Sequence, residues 1–142
     1  MKKPPKRTTI KKLKDRAWKV FSLYIRLRDC IKTTGSRLRG ECITCDATLP
    51  IEDLQAGHFI PGRHNANLFS EKGVNAQCRR CNLFLGGNPL VYRRAIVEMY
   101  GDGYDEILEE EARVIKKLNT QELKDIINIY KGKVDTLMKW NA

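Results

Sequence analysis

The chain has 142 residues, 42% hydrophobic and 31% charged, with a formal net charge of +10. That length and balance describe a soluble globular protein of one ordinary domain, or a small domain with helical additions, and exclude a disordered chain. No apolar run approaches the roughly 18 residues of a membrane span, and no apolar stretch follows the basic N-terminus as a secretory signal requires, so a cytoplasmic protein without membrane contact is expected.

The charge is concentrated. Residues 1–40 carry fourteen Lys or Arg against two acids, residues 41–82 four against five, and residues 83–142 nine against ten. Positive charge confined to one segment is the footprint of a polyanion-binding surface. A solubilising tail is the bland alternative. Residues 1–9, with Pro4 and Pro5 among lysines, are expected to form a mobile basic arm. From Ile10 to Ile31 the spacing predicts a helix whose stripe is Ala17, Val20, Phe21, Tyr24, Leu27 and Ile31, with Trp18 and Ile25 beside it. Arg16, Lys19 and Arg26 lie away from that stripe, so one side packs and the other is basic. Lys11, Lys12, Arg16 and Lys19 are the candidate phosphate contacts of this helix. Residues 41–82 read as a hairpin with a long loop, and a helix is expected to start at or just before Cys81. Asn88-Pro89 and Gly101 bracket the next helix, as N-cap, first residue and stop. A helix from Tyr104 to Leu118 follows, and Thr120 is the expected cap of a last helix with the stripe Leu123, Ile126, Ile127, Tyr130, Val134 and Leu137.

Four of the five cysteines form two pairs, Cys42-Ile43-Thr44-Cys45 and Cys78-Arg79-Arg80-Cys81. A two-residue spacer lets one tight turn supply two thiolates, and two such knuckles complete a tetrahedral zinc shell. Disulfides are disfavoured in a reducing compartment, and a redox pair would need only one Cys-x-x-Cys beside a βαβ pattern, which is missing. A closed four-cysteine site folds the protein and leaves no open position for chemistry. Cys30 stands apart in an apolar helical pattern and is read as a packing residue.

Both histidines, His58 and His64, fall between the knuckles, and Asn82 directly follows the second. Here the residues resemble the His-Asn-His, or ββα-metal, endonucleases. The run WKVFSLYIRLR from Trp18 to Arg28, the segment Ala56-Gly57-His58-Phe59, and Gln77-Cys78-Arg79-Arg80-Cys81-Asn82 together resemble the phage NinG/Rap recombination protein family, from about residue 10 to residue 138. The asparagine after the second knuckle also resembles that of phage endonuclease VII.

The resemblance implies an α+β fold: a small zinc-stapled ββα-metal core at 41–100, flanked by the basic arm and helix at 1–40 and a C-terminal helical hairpin at 101–142. It implies a structure-selective endonuclease acting on branched recombination intermediates such as Holliday junctions and D-loops, in the host cytoplasm if phage-encoded. His58 becomes the general base, a task that a neutral imidazole suits near pH 7. Asn82 becomes the ligand of a catalytic Mg²⁺ or Mn²⁺, its amide oxygen being a hard donor. Asn75 takes the middle asparagine position, which ties the hairpin loop together. Arg63, Arg79 and Arg80 would grip DNA phosphates. Gly57 departs from the pattern, because many relatives place a metal-binding acid or histidine there; Asp53 or His64 are the candidates to replace it. A homodimer paired through the C-terminal helices would provide two active sites for one junction, and recombination proteins are expected partners. Two other readings stay open: a zinc-stapled module that binds DNA without cutting it, and an adaptor whose basic helix meets an acidic protein.

Overall fold

Nothing between Lys6 and Ile31 breaks a helix, since lysine, arginine and leucine are all good helix formers. In the computed structural model, which describes residues 6–62 and 65–140, helix α1 accordingly runs Lys6–Thr34. It starts inside the stretch expected to be a mobile arm; the remainder of that arm lies outside the described residues. The strands β1 (Arg39–Glu41) and β2 (Thr48–Pro50) pair antiparallel, as do β3 (Leu54–His58) and β4 (Val74–Cys78). A 3₁₀ turn (Ile51–Asp53) joins the two hairpins, and a π-helical turn (Arg80–Phe84) follows β4. Helices α2 (Pro89–Tyr100), α3 (Tyr104–Arg113) and α4 (Thr120–Met138) complete a mixed α+β fold. No helix among the described residues is long and apolar enough to cross a membrane.

Helix α1 is gripped from two sides, which fixes the width of its apolar face. Leu13 and Ala17 pack against Leu118, Leu123 and Ile127, while Phe21 and Ile25 pack against Ala56 and Val74 of the long hairpin. The buried face is therefore Leu13, Ala17, Phe21, Ile25, Leu27 and Cys30, with Val20, Tyr24 and Ile31 only half-buried at its margin. Burying a side chain such as Phe21 contributes about 1.5–3 kcal/mol. Cys30 is a packing residue, fully buried beside Leu54 and Ala76, and burial pushes its thiol up to about 11.

Polar ties fix the register of α1 on the hairpin. The Arg28 guanidinium donates to the carbonyls of Glu71 and Val74 at 2.6 and 3.0 Å and to Asn75 Oδ1 at 3.1 Å. Its neighbour Asp29 accepts the Ala76 amide at 2.8 Å. On the same strand the Ala76 carbonyl accepts the amide of Ile43, at 2.9 Å, so the first knuckle is held against β4.

The C-terminal helices go to different neighbours: α4 runs along α1, and α3 packs on α2, where Arg93 bonds both Asp105 and Glu109. The stripe predicted on α4 is spent within the chain, with Leu123, Ile127, Tyr130 and Val134 buried. Two predicted termini need correction. Helix α3 stops at Arg113, because Val114 turns extended and carries the chain away so that Leu118 can reach the α1–α4 core. The cap of α4 is Asn119, which forms a capping box with Glu122, so Thr120 is the first helical residue. Asn88 does occupy the N-cap position before Pro89, but in a left-handed conformation that turns its side chain away from the helix.

Candidate functional site

The first knuckle is the turn between β1 and β2, and the second is the exit of β4 into the π-helical turn. All four sulfurs, from Cys42, Cys45, Cys78 and Cys81, lie within 4.8 Å of one another, and those of Cys45 and Cys78 are 3.7 Å apart. Ligands about 2.3 Å from a tetrahedral zinc are separated by about 3.8 Å, so the donor set and its spacing fit a metal ion. Neighbours are aimed at the sulfurs. The Cys81 amide lies 3.4 Å from Cys78 Sγ, and Asn88 Nδ2 lies 3.7 Å from Cys81 Sγ, which is where that misdirected cap residue points. Thr44 Oγ1 accepts from Gln77 Nε2 at 3.2 Å, which leaves its own hydrogen for Cys42 Sγ at 3.3 Å. Burial opposes ionisation of Cys42, but this hydroxyl and backbone amides outweigh it and lower the thiol to about 7.

His58 ends β3, and Asn82 lies in the π-helical turn. Both line one cleft of about 510 Å³, walled by Trp18, Ser22 and Arg26 of α1 and by Gln55 of β3. The His58 ring stacks on Trp18, with centroids 5.1 Å and planes 16° apart. Its Nε2 lies 3.2 Å from the Leu68 carbonyl oxygen, which can only accept, so in the neutral ring Nε2 carries the proton and Nδ1 is the basic nitrogen. Asn82 Nδ2 donates to Gln55 Oε1 at 2.8 Å and so turns Oδ1 toward Gly57. A Cβ on Gly57 would lie 2.9 Å from Asn82 Oδ1 and would collide with Gln77 Oε1. The missing side chain at 57 thus has a steric cause: its space is taken. The Gly57 carbonyl is held at 2.6 Å by the hydroxyl of Tyr92, a fully buried phenol that burial keeps neutral.

The other predicted residues distribute around this cleft. Asn75 lies outside it, buried, and ties the hairpin loop to α2 by donating to the Lys72 carbonyl and to Tyr92 Oη at 3.2 and 3.1 Å. Asp53 does not join His58 and Asn82; it lines a separate hollow of about 460 Å³ with Cys78, Arg79 and Arg80. Arg79 and Arg80 are exposed there. Arg63 and His64 lie outside the described residues. Lys11, Lys12, Arg16 and Lys19 are exposed, although Lys11 reaches Asp15 at 3.4 Å. Lys12, Lys19 and Arg26, seven residues apart, make a row along α1 that ends in the cleft wall.

Sequence reasoning missed Trp18 and Gln55 as walls of the cleft and Gln77 beside Gly57, and it placed Arg26 on the basic face of α1 without bringing it to the cleft. The helical period carried one available signal, since Trp18, Ser22 and Arg26 recur every four residues along one face.

Comparison with known proteins gives this arrangement a family. The chain is 34% identical over 98 residues to Protein ninG of Escherichia phage 933W, covering 61% of this chain and 48% of that protein. The same figures hold for Protein ninG of Enterobacteria phage VT2-Sa. The chain therefore spans about half the length of the curated relatives it matches. No solved structure matches it. The family model described as Bacteriophage Lambda NinG protein matches residues 2–140, nearly the whole sequence, and the chain belongs to the NinG family.

Proposed function

We propose that this NinG-family chain is a metal-dependent endonuclease of the His-Asn-His, ββα-metal type, acting on branched DNA, with a structural zinc on the four cysteines. The observation that carries this reading is the shared cleft: His58 and Asn82 line it together, and the basic row of α1 runs into its wall. The β3–β4 hairpin followed by a helical turn, with one residue of the pair at the end of β3 and the other in the turn, supports the ββα-metal comparison.

The residues divide the work. His58 Nδ1 takes the proton of the attacking water as general base, while the Leu68 carbonyl fixes the tautomer and Trp18 fixes the ring plane. Arg26, Lys19 and Lys12 neutralise phosphates along the strand entering the cleft, and Arg79 and Arg80 do so beyond it. Asn82 Oδ1 is a hard donor suited to Mg²⁺ or Mn²⁺, which would stabilise the charge building on the scissile phosphate and the leaving 3′-oxygen. The four thiolates and their hydrogen bonds hold the turn that carries Asn82 against β3.

The competing reading is a DNA-binding module in which the His58–Trp18 stack is only packing. Purified protein incubated with labelled four-way junction, D-loop, flap and linear duplex separates the two. The nuclease reading expects Mg²⁺-dependent nicking that favours branched substrates and stops in EDTA. Tight, salt-sensitive binding with no nicking in any divalent metal leaves the binding module.

A further inference from the structure

Gln77 is fully buried, yet its Oε1 has no hydrogen-bond partner among the described residues. An unpaired buried acceptor of this kind costs about 1–3 kcal/mol. The amide cannot be turned over to relieve it. Nε2 donates to the Gly87 carbonyl at 3.0 Å and to Thr44 Oγ1 at 3.2 Å, and a carbonyl accepts only, so the oxygen must face the other way.

It faces Gly57. The position of a Cβ on Gly57 overlaps Gln77 Oε1 and lies 2.9 Å from Asn82 Oδ1. Asn82 is itself locked, because its Nδ2 is held at 2.8 Å by Gln55. Two amide oxygens with fixed orientations therefore converge on the space that a side chain at Gly57 would fill, the position where many members of the resembling superfamily carry a metal-binding side chain.

We propose that Gln77 Oε1 is a second protein ligand of the divalent cation, acting with Asn82 Oδ1 in place of the absent side chain at position 57. This rests on the reading of Asn82 as a metal ligand. Carbonyl oxygens are hard donors that suit Mg²⁺ and Mn²⁺, and a cation would satisfy an acceptor that the fold leaves unpaired. The orientation of Gln77 comes from the first knuckle through Thr44, so the cysteine site also aims this ligand.

Mn²⁺ binding to the DNA-free protein, measured by electron paramagnetic resonance with zinc content and melting temperature as fold controls, tests this without reference to cleavage. Gln77→Leu and Asn82→Ala should each weaken Mn²⁺ binding at least about tenfold, whereas His58→Ala should not change it. If Gln77→Leu fails to fold, Gly57→Asp alone and combined with Gln77→Ala carries the test. The single substitution forces a side chain into occupied space and should weaken binding, and the double should restore it by placing a carboxylate in the vacated space. Folded Gln77→Leu binding Mn²⁺ as tightly as the parent, or a double substitution no better than Gly57→Asp, overturns the role of Gln77 while Asn82→Ala still reports on the underlying site. A parent protein that binds no Mn²⁺ overturns both.

Discussion

Single residues separate the cysteines cleanly. Cys42 and Cys81 are buried within the sulfur cluster, whereas Cys30 is buried among aliphatic groups and its thiol is pushed up to about 11, so it resists ionising and ligating. Cys42→Ser or Cys81→Ser is expected to abolish the bound metal, read by elemental analysis as a fall from about one equivalent of zinc, and to leave the protein unfolded or aggregated. Cys30→Ser should keep the metal and lose only about 1–2 kcal/mol for burying a hydroxyl. Zinc-free protein that is soluble and folded would contradict the assignment. The knuckles were legible because two Cys-x-x-Cys pairs carry their chemistry in local spacing. Gln77 and Trp18 were not. Trp18 joins the cleft only when α1 is laid across β3, a contact between segments about forty residues apart. Gln77 meets Gly57 only when β4 pairs with β3. No local pattern encodes either contact. Gly57 was read as a missing ligand, and only packing reveals that Gln77 fills its space.

Among the elements, α4 depends on its two ends of attachment. Asn119 accepts the Glu122 amide at 2.8 Å and Glu122 returns a bond to the Asn119 amide at 3.1 Å. Asn119→Ala should cost about 1 kcal/mol, seen as a lower melting temperature, while Thr120→Ala should cost much less. The signal for this cap was in the sequence, since a glutamate stands three residues after Asn119, but the adjacent threonine offered an equally good cap type. Farther along, Glu71 accepts from Tyr130 and Lys133, both at 2.7 Å, and so ties the hairpin loop to α4. Burial opposes ionisation of Glu71, yet these hydrogen bonds outweigh it and hold the carboxyl below its ordinary value. A depressed folded value stabilises the protein above the unfolded carboxylate range, about pH 4.3, and the effect disappears as pH falls through the folded value. The carboxylate side chain is 36% exposed, so Glu71→Gln should cost only about 0.5–1 kcal/mol at pH 7. Thermal melts should show that gap closing toward pH 3; a gap independent of pH would mean the contribution is packing and not charge.

Across the whole molecule, the described part of the excess charge of the first 40 residues lies largely on α1, whose exposed Lys12 and Lys19 lead to Arg26 in the cleft wall. Composition located that charge, and helical period placed it, but the direction of the row came only from the packing of α1 against the hairpin. Changing Lys12, Arg16 and Lys19 together to glutamine should weaken binding to every DNA substrate. It should also reduce the slope of log affinity against log salt by about 0.9 for each phosphate no longer neutralised. Unchanged affinity and slope would return the basic segment to a solubilising role. The most direct test of the proposed nuclease is single-turnover cleavage of a labelled four-way junction by His58→Ala protein, with zinc content, melting temperature and junction affinity measured on the same preparation. General-base catalysis by His58 predicts a cleavage rate about 10²–10⁴-fold lower with the other three properties retained. An unaltered cleavage rate in folded, zinc-loaded His58→Ala protein would contradict it.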